Sequence, residues 1–148
     1  MPRPAPASML RAAALGLALL PATSARADEA AAEACVEAKV RESYAQGWSV
    51  RTTSSATLGQ GEREIYALTL HTGNTYRVMA CADQQFSNVD VVIYDGTGTP
   101  VGSDPSQDRE PVVEIKPTST GKYYVAVFAS GVNAPGARGG VATAVTYK

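Results

Sequence analysis

The sequence predicts a mainly β protein, an antiparallel β-sandwich preceded by one α-helix. Three observations predict it. Between residues 48 and 147, short β-branched segments recur with Gly, Pro, Asn or Asp turns at near-regular spacing. The helical segment, 28–46, stands ahead of all of them, so helices do not alternate with strands as βαβ units require. Finally, removing a predicted leader of residues 1–27 from the 148 leaves 121, the size of one domain with one core.

Residues 1–27 read as a secretory signal peptide. Arg3 and Arg11 make a basic start, 12–20 (AAALGLALL) is a short apolar run, and Ala25-Arg26-Ala27 is a small-x-small cleavage site. The mature chain is expected to begin at Asp28. The apolar run falls short of the ~20 residues that span a bilayer. No cysteine follows it closely enough to carry a lipid anchor. The expected location is exported, periplasmic or extracellular.

The mature domain is therefore 28–148, with a helix over 28–46 and a sandwich over 48–148. Ala and Glu dominate the first part, and Val36, Val40 and Tyr44 are expected to form one apolar stripe. Glu37 and Arg41 form an i,i+4 pair, and Gly47 is the expected stop. Strands are expected over 48–58, 64–70, 75–81, 89–94, 111–116, 122–129 and 141–147. In them Tyr66, Leu68 and Leu70 share a face, as do Tyr76, Val78 and Ala80, and Val89, Val91 and Ile93. Pro111 and Pro117 bracket the fifth strand. Segments 102–110 and 131–140 read as loops.

Within these strands, Tyr66-x-Leu68-x-Leu70-x-x-Gly73-x-x-Tyr76 is followed by Val89-Asp90-Val91-Val92-Ile93-Tyr94-Asp95-x-x-Gly98. Pro111-Val112-Val113-Glu114-Ile115 and Thr120-Gly121-Lys122-Tyr123-Tyr124-Val125-Ala126-Val127 continue the pattern. This ensemble, spanning roughly 64–128, resembles the bacterial pre-peptidase C-terminal (PPC-type) domains. The resemblance implies a jelly-roll-like β-sandwich of about seven to eight strands. It also implies a non-catalytic module, of the kind that accompanies secreted proteases. No catalytic domain accompanies the pattern in this chain, which looks more like a stand-alone exported protein.

The chemistry points the same way. The leader holds three of the 13 basic residues and none of the 14 acidic ones, which leaves the mature domain at −4. That balance argues against nucleic acid and against adsorption to anionic lipid. Cys35 and Cys81 are an even pair in an exported chain, so a structural disulfide is expected. A redox role would want Cys-x-x-Cys, and zinc would want more ligands than two Cys and His71 supply. His71, the one histidine, stands beside a turn, and no Gly-x-Ser-x-Gly is present. No catalytic residue and no cofactor are therefore assigned. Calcium is the candidate metal, with Asp95, Asp104 and Asp108 as loop carboxylates for it. Their Asp-Gly and Asp-Pro contexts are also ordinary turn chemistry.

Five aromatics are candidates for a sugar platform: Tyr44, Trp48, Tyr94, Tyr123 and Tyr124. Trp48 directly follows the helix and is expected to pack there. Tyr94, Tyr124 and Asp90 alternate with core positions, so they are the expected partner surface. The resulting functional expectation is a non-catalytic exported accessory protein that contacts an envelope or secreted protein. The alternatives are a carbohydrate-binding module, calcium-assisted or not, and a small inhibitor of an extracellular hydrolase.

Overall fold

The computed structural model describes Pro2 and residues 27–148. Apart from Pro2 and Ala27, the predicted leader lies outside the described residues. Helix α1 (Glu29–Ala45) opens on Asp28, whose side chain accepts the Ala31 N–H at 2.9 Å. It stops at Gln46 and Gly47, the latter at φ 85°, a left-handed conformation that glycine adopts without a Cβ clash. The Glu37–Arg41 pair forms at 3.8 Å.

Eight strands follow: β1 (Ser49–Gly59), β2 (Arg63–Leu70), β3 (Tyr76–Ala82), β4 (Phe86–Tyr94), β5 (Pro100–Ser103), β6 (Val112–Ile115), β7 (Gly121–Val132) and β8 (Arg138–Tyr147). They form two four-stranded antiparallel sheets, ordered β1-β8-β3-β6 and β2-β7-β4-β5. This is the jelly-roll arrangement, in which successive strands switch sheets at every step except β4 to β5, which pair within one sheet. Between them lie Leu70, Tyr76, Val78, Ala80, Phe86, Val89, Val91, Ile93, Val113, Tyr123, Val125, Val127, Val141 and Val145, all buried. The inward faces of β2, β3, β4 and β7 are those expected from alternation.

Three details differ from the sequence reading. Strand β5 is not among the expected strands, and its last two residues fall in the expected 102–110 loop. It survives as an edge strand against β4 alone, where proline interrupts no second ladder. At Gly102 a Cβ would come within 2.7 Å of Ile115 Cγ2, so glycine is what lets the two sheets close at that end. Strand β8 begins at Arg138, inside the expected 131–140 loop. Tyr44, expected on the helix stripe, is 74% exposed. At about 100° per residue, i+8 from Val36 is about 80° off the stripe while i+7 is only about 20° off. The buried position is accordingly Ser43.

The helix covers the outer face of the β1-β8-β3-β6 sheet. Ala32 and Val36 pack on Met79, Cys81, Ala142 and Ala144, with Cys35 and Val40 at the margin. Small residues on β8 let the helix lie close, which is why β8 is buried on both faces. The Cys35–Cys81 disulfide joins α1 to β3 with Cα atoms 6.0 Å apart. At the other end of the helix, Arg77 donates to Glu114 at 2.8 Å and to Ser43 and Gln46 at 3.3 Å. Trp48, 2% exposed, lies between the Arg77 guanidinium at 4.1 Å and the Lys148 ammonium at 4.5 Å from its ring centroid. Its role is to seal the helix against the sheet.

Candidate functional site

The second sheet has no such cover among the described residues. Its outward positions are set by pairing register. Arg63, Phe128 and Asp90 form one row across β2, β7 and β4; Ile65, Ala126 and Val92 form the next; Ala67, Tyr124 and Tyr94 form the third. Ser103 and Pro100 of β5 extend the second and third rows. Tyr94 and Tyr124 are thus direct cross-strand neighbours. Ile65 is 51% exposed, while Ala126 at the centre is covered by its surroundings. The middle of this face is apolar and aromatic, and charge appears at its margin in Arg63, Asp90 and, beyond the third row, Lys122 opposite Thr69.

Asp90 lies on the same face, half-buried, and accepts from Ser130 and from Asn88. It carries no salt bridge among the described residues. It fixes the bulged start of β4, where the register against β7 shifts at Asn88. The other aromatics scatter. Tyr123 is in the core, Trp48 is under the helix end, and Tyr44 projects from α1 into solvent. The five do not make one platform.

The carboxylates considered for calcium are not gathered either. Asp95 accepts from the Thr97 and Thr99 N–H groups and the Thr97 hydroxyl; these bonds hold its carboxyl below its ordinary value. Asp104 accepts the Ser106 N–H at 2.7 Å and the Val112 N–H at 2.6 Å. Burial pushes that carboxyl up, but the hydrogen bonds from Ser106 and Val112 outweigh it and leave it lowered. Asp108 accepts the Glu110 N–H. Each closes its own turn, so the physical reason for these residues is loop geometry. Among the described residues, ligand-type atoms of three side chains converge only at Cys35, Cys81 and Glu110. There the two sulfurs are bonded to each other and Glu110 pairs with Lys39 at 2.8 Å. His71 is exposed, and its backbone N–H donates to the Tyr76 hydroxyl at 3.0 Å.

One feature was missed from sequence. Where the free edges of β1 and β2 part, a cleft of about 430 Å³ opens, lined by Arg51, Thr52, Ser54, Glu64, Tyr66, Ala67 and Leu68. The Ser54 and Tyr66 hydroxyls are buried there without a hydrogen-bond partner among the described residues. Burial pushes the Tyr66 hydroxyl up to about 12. Burial also pushes the Glu64 carboxyl up. Ala67 belongs both to this cleft and to the apolar face. Of that face, the sequence reading named Tyr94, Tyr124 and Asp90, and it left out Ile65, Ala67, Val92 and Phe128. The signal for these four was the second phase of the same alternation: on β2, β4 and β7 the positions between core residues are themselves apolar.

No protein-family model matches the chain, and no curated protein matches it. Among solved structures it is similar to Aeromonas hydrophila PliG, a periplasmic lysozyme inhibitor of g-type lysozyme. The match has 16% sequence identity and a TM-score of 0.47, and it covers 66% of this chain and 85% of that one. No described helix is long and apolar enough to cross a membrane.

Proposed function

We propose that this is an exported, non-catalytic protein that binds another protein through the outer face of the β2-β7-β4-β5 sheet. The observation that carries the reading is an asymmetry. One sheet has its outer face covered by a disulfide-anchored helix, while the other presents Ile65, Val92, Tyr94, Tyr124 and Phe128 without a cover among the described residues. Apolar and aromatic side chains in the middle with charge at the margin is the anatomy of a protein interface. A glycan would need a denser set of hydrogen-bonding groups than two tyrosine hydroxyls and Ser103 provide. With strands ~4.8 Å apart and rows ~6.8 Å apart, the apolar block measures roughly 200–300 Å². That is the centre of a standard interface of about 800 Å² per partner, not an obligate one. The disulfide supports an oxidising compartment.

The test uses the chain from Asp28 to Lys148 and its Tyr124→Glu variant. Crosslinking capture from envelope and secreted proteins identifies candidates, and each is then purified and its affinity measured. Lysozymes and other secreted hydrolases are assayed for inhibition in parallel, since blocking an enzyme is one form such binding takes. The expected result is one saturable protein partner, bound at least about tenfold more weakly by Tyr124→Glu, with both proteins melting alike. Equal affinity for the variant would remove the face from the reading. Binding only to a glycan array, or self-association in gel filtration, would replace the partner.

A further inference from the structure

Asp83, in the connection between β3 and β4, is 5% exposed. One of its carboxylate oxygens accepts the Gln85 N–H at 2.9 Å. The other accepts the Gly140 N–H at 2.8 Å and the backbone N–H of Asp28 at 2.7 Å. Among the described residues no lysine, arginine or histidine forms a salt bridge with it. A carboxylate this far from water is ordinarily paired with a cation as well as hydrogen-bonded.

The place where Asp28 meets it is shaped by backbone. A Cβ on Gly140 would lie 2.5 Å from the Glu29 nitrogen and 2.6 Å from the Asp28 carbonyl carbon, and one on Gly139 would lie 2.6 Å from an Asp83 oxygen. Gly140 is therefore what allows residues 28 and 29 to lie against β8, while Gly139 makes room for Asp83 and the Phe86 ring. Asp28 is also the residue immediately after Ala25-Arg26-Ala27.

We propose that Asp83 is the receptor for a processed amino terminus, and that the bond cut is Ala27–Asp28. A peptidase that reads small residues at 25 and 27 hydrolyses this amide with one water. The C–N bond breaks, the carboxylate stays on Ala27, and the freed amine of Asp28 takes up a proton. The nitrogen need not move, because it already donates to Asp83. What changes is that one neutral N–H becomes an ammonium with three donors and a full charge. A recess of about 250 Å³ lined by Asp28, Ala31, Asp83, Gln84 and Gln85 leaves room for water to meet the donors that Asp83 does not. A positive charge at the start of α1 is opposed by the helix dipole. The partly buried pairing with Asp83, at hydrogen-bond distance, is the stronger of the two effects. Processing thus tightens the junction of α1, β8 and the β3–β4 connection.

The experiment compares the chain starting at Asp28 with one that keeps Ala27, each with and without Asp83→Asn. Keeping Ala27 is expected to lower Tm by a few degrees in the wild-type background and by nothing in Asp83→Asn. The α-amine of the Asp28 chain is expected to react with an acylating reagent at least about tenfold more slowly than that of the Ala27 chain, because pairing raises it above the ordinary ~8. The exported protein is expected to have the intact mass of a chain beginning at Asp28. Equal Tm and equal amine reactivity for the two starts, or an exported protein that begins elsewhere, would overturn the proposal. Should Asp83→Asn fail to fold, the amine reactivity of the two wild-type starts decides by itself.

Discussion

Breaking the Cys35–Cys81 bond should lower stability by several kcal/mol. The bond closes a chain segment of 46 residues. In the chain-entropy account, releasing a loop of that size returns about 13.5 cal/mol/K to the unfolded state, or about 4 kcal/mol at 25 °C. Unfolding entropy of about 2.1 cal/mol/K per residue gives the 121-residue domain about 0.25 kcal/mol per degree, so Tm should fall by about 16 °C. The loss is uneven along the chain. Apart from the cysteine, α1 buries only Ala32, Val36 and Ser43. A buried valine contributes about 2 kcal/mol and an alanine less. Ordering backbone costs about 1–2 kcal/mol per residue before helical hydrogen bonds offset part of it. The helix should therefore open before the sandwich does.

The variant to use is Cys35→Ala with Cys81→Ala, because Cys81 is fully buried and a serine there would bury a hydroxyl. Calorimetric melts report the global loss, and amide exchange reports its distribution. The amides of α1 should become the fastest-exchanging regular structure, while those of β3 and β8 remain protected. A fall in Tm smaller than about 4 °C would show that the bridge does not restrain the unfolded chain as the loop-length argument requires. Protection of α1 equal to that of β8 would show that the helix holds without its staple.

Two further outcomes follow from the titratable groups. The Asp104 carboxyl is lowered in the folded state, so its contribution is whole above the ordinary value of 3.8 and disappears as pH falls through the folded value. Asp104→Ala should cost about 1 kcal/mol near neutral pH, since the two backbone donors it holds are partly wet. The gap from wild type should narrow in urea melts near pH 2, and a gap independent of pH would contradict the assignment. Tyr66 is raised from 10.0 to about 12, so the folded state's advantage is whole below pH 10 and is lost between those values. Tyr66→Phe removes a hydroxyl that has no hydrogen-bond partner among the described residues. It should leave stability near pH 7 within about 1 kcal/mol of wild type and flatten the alkaline decline. A large loss at pH 7 would mean that the hydroxyl is bonded after all.

Period and turn chemistry decided much of this protein by themselves. Alternation placed the inward faces of β2, β3, β4 and β7, because a half-buried strand must repeat every two residues. Gly47 marked the helix end, because a positive φ is a local demand. Compartment and parity were enough to expect the pairing of Cys35 with Cys81. Alternation also brought Tyr94 and Tyr124 to one side of their strands, though not to each other. Their adjacency depends on the β4–β7 register, which no local pattern encodes. Other features came from packing alone. Pro100–Ser103 is a strand only because β4 offers an edge, and Gly139 and Gly140 belong to β8 because Asp83, Phe86 and the start of α1 press against them. Tertiary structure also chose which sheet α1 covers. It brought the buried acid at 83 to the nitrogen of residue 28, 55 residues away. Sequence period reports what a residue must face, whereas its partner is set by which distant segments the closed sandwich brings within hydrogen-bond reach.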